Sequence, residues 1–188
     1  MEQGALEKFL DNARGRFDKY VREIVEGEKE ALPKVMFKVT VDGKVKTESS
    51  IEKFKEHAEA FYYFLPMRRG SDGVSSKKIL QGGSGLLYAN ADALVKLEYT
   101  TITFKGFIFE LQIVETQNVN DVASERKIFT LKDCEIIAHP EKLGESTMLV
   151  AFEYNKFETK NTKADPETGN AGGAKDAVEY DFAKGSAG

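Results

Sequence analysis

The first part of the chain shows a helical pattern. Apolar residues recur at three- and four-residue spacing from Ala5 to about Glu30, with charged residues between them. This spacing predicts an amphipathic helix with one apolar face. Pro33 ends the pattern, because proline lacks an amide donor and disfavours helical backbone in the residue before it. We therefore expect a helical extension over residues 1–33.

The pattern changes to alternation at Lys34. Valine and phenylalanine fall on one side of the stretch that ends at Val41. Asp42-Gly43 comes next, a dipeptide typical of a two-residue hairpin turn. The sequence thus predicts a β-hairpin whose second arm begins at Lys44.

Two patterns compete in the next segment, Ile51–Leu65. The apolar residues fit a helical period, and Glu, Lys and Ala, which favour helix, are frequent. The aromatic run at residues 61–64, followed by Leu65, is typical of a strand. Local pattern alone therefore predicts a helix first and extended chain after it.

The second half of the chain predicts mostly strands. Residues 107–114, 126–137 and 147–154 are β-branched and aromatic with polar spacers, and their polar connections are close to hairpin length. We expect an antiparallel meander. A short helix is predicted just before it, from Ala89 to Tyr99, with Asn90 or Asp92 as its cap. Residues 159–188 contain little apolar material and many glycines, so they are predicted to form a polar tail.

A polar segment with paired basic residues interrupts the apolar pattern between Met67 and Gly85. An apolar run resumes directly after its last glycine, which is typical of a long loop returning to a sheet. Basic residues around a loop more often form a solvated or subunit-contacting face than a nucleic-acid site. The candidate subunit-contact residues are Arg68, Arg69, Lys77, Lys78, Gly82, Gly83 and Gly85.

Composition limits the class of protein. A chain of 188 residues can fill one good core, and its 41% hydrophobic and 31% charged residues are typical of a globular protein. No apolar run approaches the roughly 18–20 residues that span a bilayer, so we expect no membrane anchor. The net charge of −4 argues against tight nucleic-acid binding over the whole surface, since such binding needs many Lys or Arg contacts to phosphate.

The residues that most often carry chemistry form no recognisable site. Cys134 is the single cysteine, and it lies in an apolar stretch where a small buried side chain is expected. His57 and His139 are far apart and have no metal-ligand spacing, so His57 is expected on a solvated, charged face and His139 in a turn. The glycines before Leu86 lack the last glycine of a dinucleotide fingerprint. We predict no catalysis, no cofactor and no metal site.

Taken in order, these features resemble the tail tube proteins of contractile phages and phage-derived bacteriocin particles. The resemblance covers about Val39 to Glu158 and is one of ordering and spacing. Its components are the Asp42-Gly43 hairpin, the Ile51/Phe54 segment, Met67-Arg68-Arg69, the glycine loop, Tyr88, the Leu94/Leu97 helix, Phe109-Glu110-Leu111-Gln112, Glu125-Arg126 and Phe152-Glu153-Tyr154.

The resemblance implies a mainly β (α+β) fold, an antiparallel β-barrel or sandwich with one packed helix, here preceded by the N-terminal helical extension. It also favours strand from about Ala60. The implied organisation is a helical extension at 1–33, a tube-like barrel domain at 34–158 and a tail at 159–188. The two terminal segments depart from the family pattern.

The function implied is structural. Six copies would close into a ring, and stacked rings would form the conduit that carries DNA or penetrates an envelope, with DNA passing through without specific binding. The protein would be made in the bacterial host cytoplasm and reside in the virion tail, with sheath or baseplate proteins as further partners. Two other hypotheses stay open: a monomeric or dimeric binding module that docks a partner through the N-terminal helix, and a small enzyme using Cys134 or His57.

Overall fold

The structure is a computed structural model. It describes residues 3–25, 35–66, 68–71, 78–81, 83–90, 108–119, 122–137, 141–143, 147–162, 175–182 and 186–187. The contacts divide the chain into two compact units, Met1–Pro33 and Lys34–Gly188. The three-part domain division made from the sequence stays a prediction.

Among the described residues of the first unit, helix α1 spans Gln3–Val25. Its start lies two residues before the predicted one, and residues 26–34 lie outside the described part. Arg22 lies in the last turn, where a cation complements the negative end of the helix dipole. No helix within the described ranges combines the length and the apolar character needed to cross a bilayer.

The second unit is built on a closed antiparallel barrel. Its six strands are β1 (Val35–Val41), β3 (Ala58–Phe64), β6 (Ser84–Asn90), β7 (Phe109–Val119), β8 (Val122–Ile136) and β10 (Thr147–Glu153). A short strand, β2 (Lys44–Val45), pairs with the end of β1. The predicted hairpin turn is present, with Asp42 and Gly43 both at positive φ as a type I′ turn requires.

The strand order around the barrel is β8-β7-β1-β3-β6-β10. The barrel closes because β10 pairs back to β8, with Phe152 opposite Ile136. The predicted meander is confirmed, since β7 pairs with β8 and β8 with β10. Because the barrel is closed, each of these six strands has a neighbour on both sides along its paired residues.

Alternating side chains fill the barrel. Phe37 of β1, Ile113 of β7 and Leu131 of β8 are fully buried in one apolar cluster. Cys134 belongs to the same cluster, as expected for a small buried side chain. Three rings contact one another in this core: Tyr63 meets Phe129 edge to face with centroids 5.4 Å apart, and Phe129 lies tilted against Phe157 at 5.8 Å.

A smaller apolar cluster lies on the other face of β1. Phe54 packs with Met36 and Val114, and Phe54 comes from a short 3-10 helix, Glu52–Phe54. The segment is tied to β1 through Thr47, whose hydroxyl accepts from the Val39 amide and donates to the Glu56 carbonyl. The locally predicted helix over Ile51–Glu59 is therefore limited to one turn, and the strand favoured from Ala60 begins at Ala58.

Strands β9 (Glu141–Leu143), β11 (Lys156–Asn161), β12 (Lys175–Asp181) and β13 (Ser186–Ala187) extend the sheet. β9 pairs with β10, and β11, β12 and β13 follow one another beyond β8. β10 and β11 both pair with β8, and the register does not shift between them. Phe152 of β10 is opposite Ile136, and four residues later Lys156 of β11 is opposite Lys132. The barrel sheet thus continues past β8 into a side sheet formed by β11, β12 and β13.

The C-terminal segment differs from the predicted polar tail. β11 continues to Asn161, and β12 pairs with it along its length. Tyr180 is buried and Phe182 packs against the main core, so apolar side chains two residues apart hold this strand in place. Glycine and charged residues surround these two side chains, so the sequence shows no clear alternation of apolar and polar residues, and the strand was not predicted. The predicted helix from Ala89 to Tyr99 lies outside the described residues from Ala91 onward, and Asn90 ends β6.

Candidate assembly site

The basic segment between β3 and β6 forms a separate two-stranded ladder. Its strands are β4 (Arg68–Ser71) and β5 (Lys78–Gln81), which pair antiparallel with Arg68 opposite Gln81 and Ser71 opposite Lys78. Because β3 and β6 are themselves paired, this ladder continues their hairpin outside the barrel sheet. The predicted long loop is therefore a hairpin with a paired stem.

Only some of the predicted contact residues fall in this stem. Arg68 and Arg69 lie in β4, and Lys78 begins β5. Lys77 and Gly82 lie outside the described residues. The role of these residues in subunit contact stays a prediction.

Gly83, at the base of the hairpin, contacts Tyr154, which lies between β10 and β11. Its backbone is left-handed, with φ of 87°, and it is buried. The Gly83 carbonyl accepts a hydrogen bond from the Tyr154 amide at 2.5 Å, and a Cβ on Gly83 would lie 2.7 Å from the Tyr154 carbonyl oxygen. A side chain at this position would collide with backbone, so glycine is required for the approach of the two chains.

Gly85 is restricted by side chains instead. A Cβ there would lie 2.5 Å from Cζ of Phe152 and 2.7 Å from Cδ2 of Leu65. Phe152 is almost completely buried, so its ring has little room to move away. Gly83 and Gly85 thus contribute by packing within the subunit. Their partners Phe152 and Tyr154 were not predicted, because contacts between distant strands leave no local sequence pattern.

The predicted solvated position of His57 is wrong. The ring is half-buried, and its edge contacts Phe54 with centroids 5.5 Å apart. Nε2 of His57 lies 3.3 Å from Oε1 of Gln112. Burial lowers the pKa of His57 from its usual 6.5, the hydrogen bond to Gln112 opposes this, and the charge of Lys38 adds to it. These surroundings favour the neutral form of the imidazole.

Cys134 is also placed where nucleophilic chemistry is disfavoured. The thiol is buried in the barrel core, and burial raises its pKa far above the usual value. A protonated, inaccessible thiol is a poor nucleophile. His139 lies outside the described residues. Within the described ranges, no three His, Cys, Asp or Glu side chains lie close enough together to hold a metal ion.

Comparison with known proteins identifies the architecture. A protein described as a type six secretion system protein superposes with a TM-score of 0.62 at 14% identity, covering 81% of this chain and 99% of its own. A mutant Hcp1 from E. coli EAEC 042 pathovar gives 0.62 at 12% identity over the same shares. The fold is Hcp-like.

A third structure supports the same assignment. Hcp1 from Salmonella typhimurium matches with a TM-score of 0.58 at 16% identity, covering 80% of this chain and 97% of its own. The predicted mainly β barrel is thereby confirmed. No protein-family model matches the chain, and no curated protein matches it by sequence. The Hcp-like assignment therefore rests on the shared fold, and it supports the phage tail tube resemblance at that level only.

Proposed function

We propose that this protein is a structural tube protein that self-assembles into rings, and that the rings stack into a conduit. The observation that carries the proposal is the Hcp-like barrel with its side sheet, which aligns over 81% of the chain and nearly all of the similar structure. The resemblance of the sequence to contractile-phage tail tubes supplies the assembled form: closed rings, six copies in each, within a virion tail or a related injection particle. No catalytic step belongs to this function.

The sheet itself favours assembly. Its two ends are formed by β9 and by the β12–β13 pair, and β13 covers only the Tyr180–Asp181 part of β12. Lys175–Glu179 of β12 have no further strand partner within the described chain, and Val178 is 50% exposed. An open edge with an exposed apolar side chain is an association hazard in a monomer. A ring that continues the sheet from copy to copy would cover it.

The charge of the chain fits a conduit. With a net charge of −4, the protein repels a polyanion on average, so DNA could pass through a lumen without being held. Sheath or baseplate proteins are the further partners that this role would require. The buried thiol of Cys134 and the neutral, half-buried His57 also favour a structural role over the enzyme hypothesis.

The first test is negative-stain electron microscopy of the purified full chain at high concentration, with its mass in solution. We expect rings or hollow tubes. A variant lacking Ser71–Gln81 should keep the barrel, because the strand residues of this segment pair only within the β4–β5 ladder and with no barrel strand in the described ladders, and should lose stacking. A uniform monomer near 21.0 kDa at all concentrations would contradict the proposal and favour the binding module that uses the N-terminal helix.

A further inference from the structure

The segment between β2 and β3, residues 46–57, lies against the outer face of β1 and takes no part in the described ladders of the barrel. We term it the strap. Most of its residues are exposed, and only Thr47 and Phe54 are buried. A segment with few buried contacts and no ladder has low local stability, so it can open while the rest of the fold stays intact.

The strap covers an apolar side chain on the outside of the barrel. Val35 and Phe37 of β1 belong to the main core, so Met36 between them points to the opposite face of the sheet. Met36 is nonetheless completely buried, because it packs in the cluster that contains Phe54 of the strap. Ile51 of the strap packs against the same cluster. Lifting the strap would therefore uncover Met36.

His57 closes the C-terminal end of the strap. Its amide donates to the Phe54 carbonyl at 2.8 Å, and its ring meets the Phe54 ring edge to face. Nε2 of His57 lies 3.3 Å from Oε1 of Gln112 in β7. The imidazole thus links the buried anchor of the strap to a barrel strand.

The second ring nitrogen of His57 is poorly placed for a proton. An amide Oε1 only accepts, so Nε2 carries the hydrogen when the ring is neutral. Nδ1 is buried and has no hydrogen-bond partner within the described part of the chain. Protonation there would create a buried donor without an acceptor on a charged, half-buried ring.

The charged groups that face the ring act in both directions. Lys38 of β1 is 23% exposed, and its Nζ lies 3.6 Å from Oε2 of Glu56 in the strap. Burial lowers the pKa of His57, and the charge of Lys38 adds to this. The hydrogen bond to Gln112 and the carboxylates of Glu125 and Glu56 raise the pKa. Burial is the largest effect, so the closed strap disfavours the charged ring.

We propose that the strap is an acid-operated latch: when His57 takes up a proton, residues 46–57 leave the face of the barrel and uncover Met36, while the six-stranded barrel stays closed. The released ring binds a proton more readily than the packed one, so opening is favoured as the pH falls below about 6.5. One proton for each opening event increases the open form by at most about tenfold per pH unit. The latch is a property of the single chain and does not require ring formation.

Oxidation of methionine by hydrogen peroxide measures the uncovering of Met36. The thioether does not titrate, so the rate of sulfoxide formation reports its access to solvent. The purified full chain is treated at about pH 7.5 and at about pH 5, and peptide mass spectrometry follows each methionine. Oxidation of Met36 should be about fivefold or more faster at the lower pH. Met148, which is 6% exposed in the barrel core, should stay equally slow and serves as the internal control.

Two variants fix the limits of the response. His57→Gln cannot take up the proton, so Met36 should be oxidised slowly at both pH values. Phe54→Ala removes the buried anchor, so Met36 should be oxidised rapidly at both pH values while Met148 stays slow. Circular dichroism of each variant checks that the barrel is folded.

A third variant tests whether the charge of His57 causes the opening. Gln112→Glu places a carboxylate next to Nε2 and stabilises the charged ring in the closed strap, so it should reduce the acid-induced rise about threefold or more. Gln117→Glu adds the same charge five residues along β7 and should respond as the unchanged protein does. A ring that only fills space would give the same response in both variants.

Four results would overturn the latch. These are equal oxidation of Met36 at the two pH values, an equal acid-induced rise at Met148, a rise that persists in His57→Gln, and continued protection of Met36 in Phe54→Ala. The second result would show that acid unfolds the barrel as a whole. Failure of the chain to form rings or tubes would count only against the proposed function.

Discussion

At the scale of single residues, two glycines with left-handed backbone have different reasons for being glycine. Gly43 occupies the hairpin turn with φ of 73° and has nothing within 4 Å of its missing Cβ. Gly83 has φ of 87° and faces the Tyr154 carbonyl at 2.7 Å. The first position needs only a backbone conformation, whereas the second needs that conformation and empty space.

This difference can be measured. Gly43→Ala should lower the free energy of unfolding by about 1 kcal/mol, the usual cost of a left-handed alanine. Gly83→Ala has the same cost and, in addition, a backbone collision that should add about 1–3 kcal/mol. Urea unfolding of both variants gives the comparison. Equal losses at the two positions would show that Gly83 is not held against Tyr154.

His57 predicts a pH dependence of stability. Its pKa is lowered in the folded protein, so below about pH 6.5 the unfolded chain binds this proton more readily than the folded one does. Stability is therefore complete above the unfolded pKa and is lost as the pH falls through the folded pKa. His57→Gln should flatten the decline in unfolding free energy between about pH 8 and about pH 5. An unchanged slope in His57→Gln would contradict the assignment.

At the scale of elements, β12 shows how little apolar sequence is needed when a sheet is already formed. Tyr180 is 6% exposed, and its ring lies 5.0 Å from that of Phe182, which in turn contacts Tyr154 at 5.5 Å. β11 supplies a complete edge for β12 to pair with. The strand is thus held by a pre-existing ladder and one aromatic group.

Substitution within β12 tests whether the C-terminal segment is folded. Tyr180→Ala should lower the unfolding free energy by about 2–4 kcal/mol, because it removes a buried ring and leaves a cavity. Val178→Ala lies in the same strand at an exposed position and should change it by less than about 0.5 kcal/mol. Thermal melting of the two variants decides the point. A free tail would show the same small effect for both.

At the scale of the whole barrel-containing unit, a closed barrel is joined to a sheet that has two ends. Six strands close on themselves through the β8–β10 pairing, while β9 and β12–β13 leave the extended sheet with two ends. Within the described strands, the unit therefore combines a closed barrel with a sheet edge that has no further strand partner. Pairing of another strand at that edge would leave the ladders of the closed barrel intact.

Local pattern determined the elements whose signal is short-range. Helix α1, the Asp42-Gly43 turn and the three strands of the meander were predictable because periodicity and turn chemistry act within a few residues. The mainly β class and the barrel followed from the resemblance that these elements carry together. The basic hairpin was predicted as a long loop from its paired arginines and glycines, although its paired stem was not.

Only the tertiary structure decided the contacts that join distant segments. The approach of Gly83 to Tyr154 and the burial of His57 depend on strands far apart in the sequence, so they leave no periodic pattern in it. The single 3-10 turn at Glu52–Phe54 and the strand β12 were misread for the same reason: the ladder partner, rather than the local propensity, set their conformation. Hydrophobic pattern fixes which face of a segment is buried, but the fold decides what lies against that face, and the candidate contact surfaces are formed by that choice.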